Sequence, residues 1–234
     1  PDTEIVGKAY VPLAERAFEQ VVRQVIASGA DAVINMINGD SNIYFYNELK
    51  RQNISSEDLP VMATSIGEDE LRGLLPEAVE GHLVAANYFQ SVNSPANRRF
   101  VEGFQREHGE DRVVGDPMEA AYVAVHLWKE AVERANSTET ARVREALRIR
   151  LSIDAPGGKV SLDPRNQHLA KRCRVGRIRP DLQFDIVYEA PRVLSPDPFP
   201  QEAFPGWRCD WTQYGLVEGK PVSIRPKPPE PSTS

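Results

Sequence analysis

Cysteine is scarce: the 234 residues hold two, Cys173 and Cys209. Neither sits in a CxxC pair or at zinc-ligand spacing, so a dithiol redox centre and a structural zinc site have no basis in the sequence. The pair reads either as two idle thiols or as one disulfide, and a disulfide needs an oxidising compartment. Long apolar runs are missing too. None approaches the roughly 18 residues of a membrane span. The opening PDTEIVGKAY lacks the apolar core of a signal peptide, so the chain reads as cytoplasmic, or as mature or truncated. Lys and Arg form no block, and 28 of them against 34 Asp and Glu leave a net charge of −6. Nucleic acid and anionic membranes are therefore poor partner expectations. There is no GxxxxGK[ST], no GxGxxG after a strand and no G-x-S-x-G elbow, which argues against a phosphate cradle, a dinucleotide cofactor and a serine nucleophile. The four histidines, His82, His108, His126 and His168, lie in unrelated settings. His126 reads as packed near Trp128, and His168 as a surface or structural residue. No metal and no cofactor is expected.

What is present is an ordinary globular composition, 41% hydrophobic and 26% charged. The first part alternates. EIVGKAYV is strand-like and ends at Pro12. LAERAFEQVVRQVIASG has helical spacing, with Gly29 as its stop. AVINMI is apolar nearly throughout, as in a parallel strand covered on both faces. NIYFYNELKRQN is the next helix, and its Tyr44, Phe45 and Tyr46 point to three different sides. LPVMATSI is a strand, DELRGLLPEAVEG a helix interrupted at Pro76, and HLVAANYF a fourth strand, with Tyr88 and Phe89 read as core. This β-α-β-α-β-α-β order predicts a parallel α/β sheet. Two longer helices follow, opened by Ser94-Pro95 and Asp116-Pro117. Ala121, Val125, Leu127, Trp128 and Val132 cover much of the second one, which predicts deep packing. TARVREALRIR is shorter. APGGKVSLDPRNQHLAKRCRVGRIRPDLQFDIVYEA then reads as antiparallel strands joined by turns. Beyond Pro191 the chain is proline-rich, and RPKPPEPSTS is not expected to fold.

Ligands of open α/β sheets bind outside the carboxyl ends of the strands. Three segments could present polar groups there: Asn38-Gly39-Asp40-Ser41, Thr64-Ser65, and Asp116 to Glu119. The first and third open helices, whose free N–H groups favour an acceptor oxygen, so a small polar molecule with a carbonyl suits them. Capping accounts for the same residues: Asp40 or Ser41 on one helix, Asp116 on another, and a plain turn at Thr64-Ser65. Spacing alone favours capping. The many other carboxylates read as solvated helix faces.

INGDSN, PVMATSIGEDEL, GHLVAANYFQSVNSPANRRFVEGF, GDPMEAAYVAVHLWKEAV, DAPGGKVSLDPRNQH and GRIRPDLQFDIVYEAPRVLSPDPFP occur in that order. Together they resemble the second half of the urea and short-chain-amide binding proteins of ABC transporters. Those belong to the branched-chain amino-acid, or type I periplasmic, binding family, which also includes the amide sensor of amidase operons. The match runs from about Gly7 to Pro200. The resemblance implies an α/β fold of two lobes, with parallel Rossmann-like sheets and flanking helices, that closes on a solute without acting on it. It implies that residues 1–86 are the later part of lobe two, 87–152 a helical return segment of lobe one, 153–200 antiparallel strands packing on lobe two, and 201–234 a Pro-rich extended tail. The family's first half has no counterpart here. The chain is expected to be a fragment or a truncated homologue, leaving apolar sheet edge exposed and tending to associate.

Carried over residue by residue, the implied ligand contacts are Asn38, Gly39 and Asp40, then Ser65 and Ile66, then Asp116, Met118 and Glu119. The implied partners are urea or a short amide and an ABC permease, and the implied location is periplasmic or extracellular. An alternative within the same fold is a cytoplasmic amide-sensing regulator that controls a partner protein. An amidohydrolase is disfavoured, because no nucleophile, base and orienting group can be assembled.

Overall fold

Short apolar runs bounded by turn residues become the strands of a mixed sheet. The computed structural model describes residues 3–197 and the backbone of two further strand segments, Tyr214–Val217 and Lys220–Ser223. The chain divides into two units, Pro1–Pro196 and Asp197–Ser234. In the first unit, β1 (Val33–Asn35), β2 (Val61–Ala63) and β3 (Leu83–Ala86) pair in parallel. Late in the chain, β7 (Arg174–Ile178) joins β3 antiparallel and β8 (Phe184–Glu189) joins β7, giving the order β1-β2-β3-β7-β8. Helices α1 (Glu19–Ala27), α2 (Ser41–Arg51), α3 (Glu68–Leu71) and α4 (Pro76–Val79) belong to this part. Its core includes Phe18, Phe45, Tyr46, Leu49, Val84 and Phe89. Tyr88 is buried as well, and Tyr44 is half-buried.

A second core forms around α6 (Asp116–Ala135) and α7 (Thr140–Ala146), from Val123, Leu127, Ala131 and Val143. They meet a three-stranded antiparallel sheet of β4 (Ser152–Ala155), β5 (Gly158–Leu162) and β6 (Leu169–Ala170). Helix α5 (Pro95–His108) starts as its sequence predicts: Ser94 is the N-cap and accepts from the Asn97 N–H, with Pro95 at the first turn. In the second unit, β9 (Tyr214–Val217) and β10 (Lys220–Ser223) pair antiparallel.

Several expectations are corrected. EIVGKAYV forms no strand: residues 3–10 are exposed, and no ladder partner lies beside them among the described residues. Strand propensity needs a neighbour to pair with. The first helix begins at Glu19 rather than Leu13, because Ala14 takes a left-handed φ of 64° and breaks the run. Deep packing of α6 is also overturned. Val125 is 63% and Trp128 53% exposed, since one face meets the second core and no described element covers the other. His126 is exposed against the ring of Tyr122 rather than packed inside. The described residues of 153–197 divide between two sheets, with β4–β6 against α6 and α7 and only β7 and β8 on the sheet of β1–β3. Within residues 201–234, Tyr214–Val217 and Lys220–Ser223 pair as β9 and β10. RPKPPEPSTS and Cys209 lie outside the described residues, and with Cys209 the disulfide alternative; Cys173 is half-buried.

One glycine is demanded by close approach. At the β7 irregularity between Val175 and Gly176, a Cβ on Gly176 would lie 2.9 Å from ring atoms of both Phe184 and Phe89. The two rings pack against each other at a tilt of 37°, with centroids 4.5 Å apart.

Candidate functional site

The parallel pairing decides which loops meet. Asn35 is in register with Ala63, and the Thr64 N–H donates to the Asn35 carbonyl at 3.1 Å. The loops after β1 and β2 therefore leave the sheet side by side. β3 lies next, with Val84 opposite Ala63. Beyond its end, the Asn87 N–H sits 3.5 Å from Asp116 Oδ2 at the start of α6. The segments bearing Asn38 to Asp40, Ser65 and Asp116 thus converge along the carboxyl edge of the parallel strands, where an open α/β sheet offers its crevice.

The first loop is held from beneath by two buried asparagines. Asn35 Nδ2 donates to Asn42 Oδ1 at 3.0 Å, and Asn35 Oδ1 accepts from the Ile37 N–H at 2.8 Å. Asn42 Nδ2 donates to the carbonyls of Ile37 and Gly39 at 2.9 and 3.2 Å. Gly39 has φ +66°, the left-handed region that glycine enters without penalty. Asn38, Gly39 and Asp40 are all exposed. Capping by side chains, favoured on spacing, is not how this loop is built. Asp40 is the N-cap residue of α2 but makes no capping hydrogen bond, and the buried Ser41 Oγ has no partner among the described residues. Asn42, inside the helix, fastens the loop instead. Nor does Asp116 cap α6. Gly115 is the N-cap, and Asp116 is the first helical residue.

Ser65, Asp116 and Met118 are half-buried beside this edge. Two expected contacts are placed elsewhere. Ile66 is 4% exposed and belongs to the first core, because the loop turns its apolar side chain down onto the sheet. Glu119 is fully buried. Its Oε2 pairs with Lys171 Nζ at 2.7 Å, and its Oε1 accepts from the Gly157 N–H at 3.3 Å.

Behind the edge lies a charged network that sequence reading passed over. Arg174, 3% exposed, donates to the carbonyls of Asn87 and Gly157 and, at 2.7 Å, to Glu189. Lys171 also lies 3.7 Å from Asp116 Oδ1. Glu68, 1% exposed, accepts from the Gln90 N–H at 2.6 Å, while its Oε2 has no partner among the described residues. Burial pushes the Glu68 carboxyl up to about 7, against the pull of the Gln90 N–H and with a small push from Asp116 and Glu70. No local signal marks Glu68. It sits in an acidic run, GEDE, like those on exposed helix faces. Lys171 and Arg174 likewise read as ordinary hairpin cations.

Among the described residues no group of three or more His, Cys, Asp or Glu could hold a metal ion, and no helix is long and apolar enough to cross a membrane.

Comparison with known proteins gives these geometries a setting. The periplasmic binding protein domain family matches residues 1–204. The chain is 26% identical over 172 residues to Leu/Ile/Val-binding protein homolog 6 of Brucella melitensis biotype 1, covering 72% of this chain and 44% of that protein. It is 30% identical over 118 residues to a limonene hydroxylase of Geobacillus stearothermophilus, covering 50% of this chain and 21% of that protein. Among solved structures, an amino acid ABC transporter substrate-binding protein from Pseudomonas fluorescens Pf-5 aligns with a TM-score of 0.72 at 21% identity, over 83% of this chain and 52% of that one. That likeness shows the fold. The chain spans less than half the length of these curated relatives and about half that of the solved structure.

Proposed function

The chain belongs to the periplasmic binding protein domain family, and from that premise we propose that it is the solute-binding component, or part of one, of an ABC transporter for urea or a short-chain amide. It binds its solute without chemistry and hands it to a permease, in the periplasm or outside the cell. In this reading the sheet of β1–β3 belongs to lobe two, and residues 87–152 to lobe one. Closure is a population shift driven by contacts made only in the closed state.

The observation that carries the solute class is the chemistry of the converging loops. INGDSN and ATSIGED contain no Lys or Arg. A carboxylate solute would meet Asp40 with no cation from these loops. An uncharged amide needs only a few donors and acceptors. Its N–H groups donate to Asp40 and to the Asn38 side-chain carbonyl, and its carbonyl accepts from the Ser65 hydroxyl. Gly39 keeps the loop flat enough for close approach, and Asp116 and Met118 close the far side. The printed names of two relatives favour a second reading, an amino acid as solute.

Calorimetric titration with urea, acetamide and leucine separates the two. Asp40→Ala and Ser65→Ala should each weaken urea binding about tenfold, or ~1.4 kcal/mol, with an unchanged melting temperature. Leucine binding without urea binding would overturn the solute class. Variants that bind like the parent would overturn the site.

A further inference from the structure

A second polar concavity shares no residue with the candidate site. It measures about 660 Å³ and is lined by Arg144, Arg148, Pro164, Arg165, Asn166 and Gln167. No carboxylate is among these residues, although the chain as a whole carries a net charge of −6. Arg144 lies in α7, and Arg148 follows four residues later. The rest come from the turn between β5 and β6.

Hydrogen bonds order the backbone of that turn and orient Arg165, whose side chain is 78% exposed. Asp163, 5% exposed, grips Arg165 at both ends, with Nε to Oδ1 at 3.0 Å and Nη2 to Oδ2 at 2.6 Å. This leaves Arg165 Nη1 without a hydrogen bond among the described residues. The Asp163 N–H donates to the His168 carbonyl, and the Gln167 N–H to the Asp163 carbonyl, both at 2.8 Å. Gln167 is held at φ 61°, a left-handed conformation that costs a residue with a Cβ. Asn166 Oδ1 accepts from the His168 N–H at 2.9 Å, and its Nδ2 donates no hydrogen bond among the described residues.

Across the cavity, Arg144 has no ion pair among the described residues. Arg148 has only an exposed contact with Glu145 at 3.3 Å, which holds it weakly. Attraction to a helix carboxyl end explains arginines at 144 and 148. It does not explain a strained turn that sets a clamped guanidinium and a carboxamide donor beside them. The wall offers mostly N–H donors and positive charge, the complement of a multivalent oxyanion. Guanidinium forks match tetrahedral phosphate oxygens.

We propose that the cavity formed by α7 and the β5–β6 turn binds a phosphate-bearing anion. The concavity is open to solvent, and the phosphate it would take belongs to a soluble phosphorylated compound or to a phospholipid headgroup. The sequence holds no glycine-rich phosphate loop and no basic block. This site is assembled instead from arginines that are adjacent only in the fold.

The test is calorimetric titration of the protein with inorganic phosphate and with pyrophosphate, in 20 mM and 300 mM salt on the order of the range where screening acts, beside sedimentation with phosphatidylglycerol and phosphatidylcholine vesicles. The double variant Arg144→Gln/Arg148→Gln removes charge without touching the Asp163–Arg165 clamp. Binding of a soluble phosphate that weakens at least tenfold in the double variant and falls with salt establishes a soluble ligand. Retention on phosphatidylglycerol but not phosphatidylcholine vesicles, lost in the double variant, establishes a lipid source. Absence of both, or binding that the double variant retains in full, overturns the proposal. An unchanged melting temperature in the variant separates loss of the site from loss of the fold.

Discussion

Replacing Glu68 by glutamine should stabilise the protein at alkaline pH and change little at pH 4. Glu68 is buried against Gln90 and Gly115, and its carboxyl rises from the usual 4.5 to about 7. An acid held above its unfolded value supports the folded state below that unfolded value. The support is lost as pH climbs through the folded value. A rise from 4.5 to about 7, at about 1.36 kcal/mol per pH unit, puts the full loss at about 3 kcal/mol by pH 8. Glutamine keeps the acceptor for the Gln90 N–H and cannot ionise. Like the protonated acid, its amide carries a donor, so the pH-independent part of the change is small.

His82 would obscure this in the parent alone. Burial lowers its imidazole to about 4, and its Nδ1 accepts from the Val61 N–H. A histidine held below its usual 6.5 contributes stability that is gained as pH rises from 4 to 6.5, opposite in sign to Glu68. The two nearly offset between pH 4.5 and 6.5, so the parent profile there should be shallow. The difference between parent and variant cancels His82 and isolates Glu68. Asp163, held at about 2 by the hydrogen bonds of Arg165, titrates below the window. Guanidinium chloride unfolding followed by circular dichroism at pH 4, 5, 6, 7 and 8 gives the difference directly. It should start near its floor at pH 4 and grow steadily to about 3 kcal/mol at pH 8. A difference that does not change with pH would refute the burial argument.

Two further outcomes test the packing. Lys171→Met strips the partner from the fully buried Glu119 and should cost about 3–5 kcal/mol in denaturant unfolding, with Glu119→Gln in the same chain restoring much of it. A loss under about 0.5 kcal/mol would mean that the pair is solvated. Gly176→Ala drives a methyl to 2.9 Å from the Phe89 and Phe184 rings and should cost about 1–3 kcal/mol, and an unmoved thermal midpoint would show that the rings yield freely.

The elements legible in the sequence were those whose cause is local. Val33–Asn35, Val61–Ala63 and Leu83–Ala86 are apolar runs between turn signals, and Ser94-Pro95 announces a helix by chemistry that needs no distant partner. Failures came where a remote segment decides. EIVGKAYV has strand propensity but no strand to join. The apolar spacing of Val125 and Trp128 says nothing about whether a neighbour covers them, and none does among the described residues. The loop after β1 was legible as polar but not in its construction, because Asn35 and Asn42 sit seven residues apart and meet only after the strand hands over to the helix. Glu68 differs from its exposed neighbours Asp69 and Glu70 only in what packs on it.

That packing explains why charge collects between the two cores. The connections leaving β3 and joining β4 to β5 carry the Asn87 and Gly157 carbonyls into the interior, outside any strand ladder. The Arg174 guanidinium, reaching both, satisfies them with one side chain. Lys171 does the same for the Glu119 carboxylate, whose other oxygen holds the Gly157 N–H. Buried ion pairs contribute little net stability over apolar packing, so their value here lies in fixing where the two cores meet. Glu68, Asp116, Glu119 and Glu189 face three cations in that joint, Lys171, Arg172 and Arg174. A joint with more acids than bases must leave one of them neutral or poorly compensated. Glu68 has no cationic partner among the described residues to offset its burial, and burial holds its proton up to about pH 7.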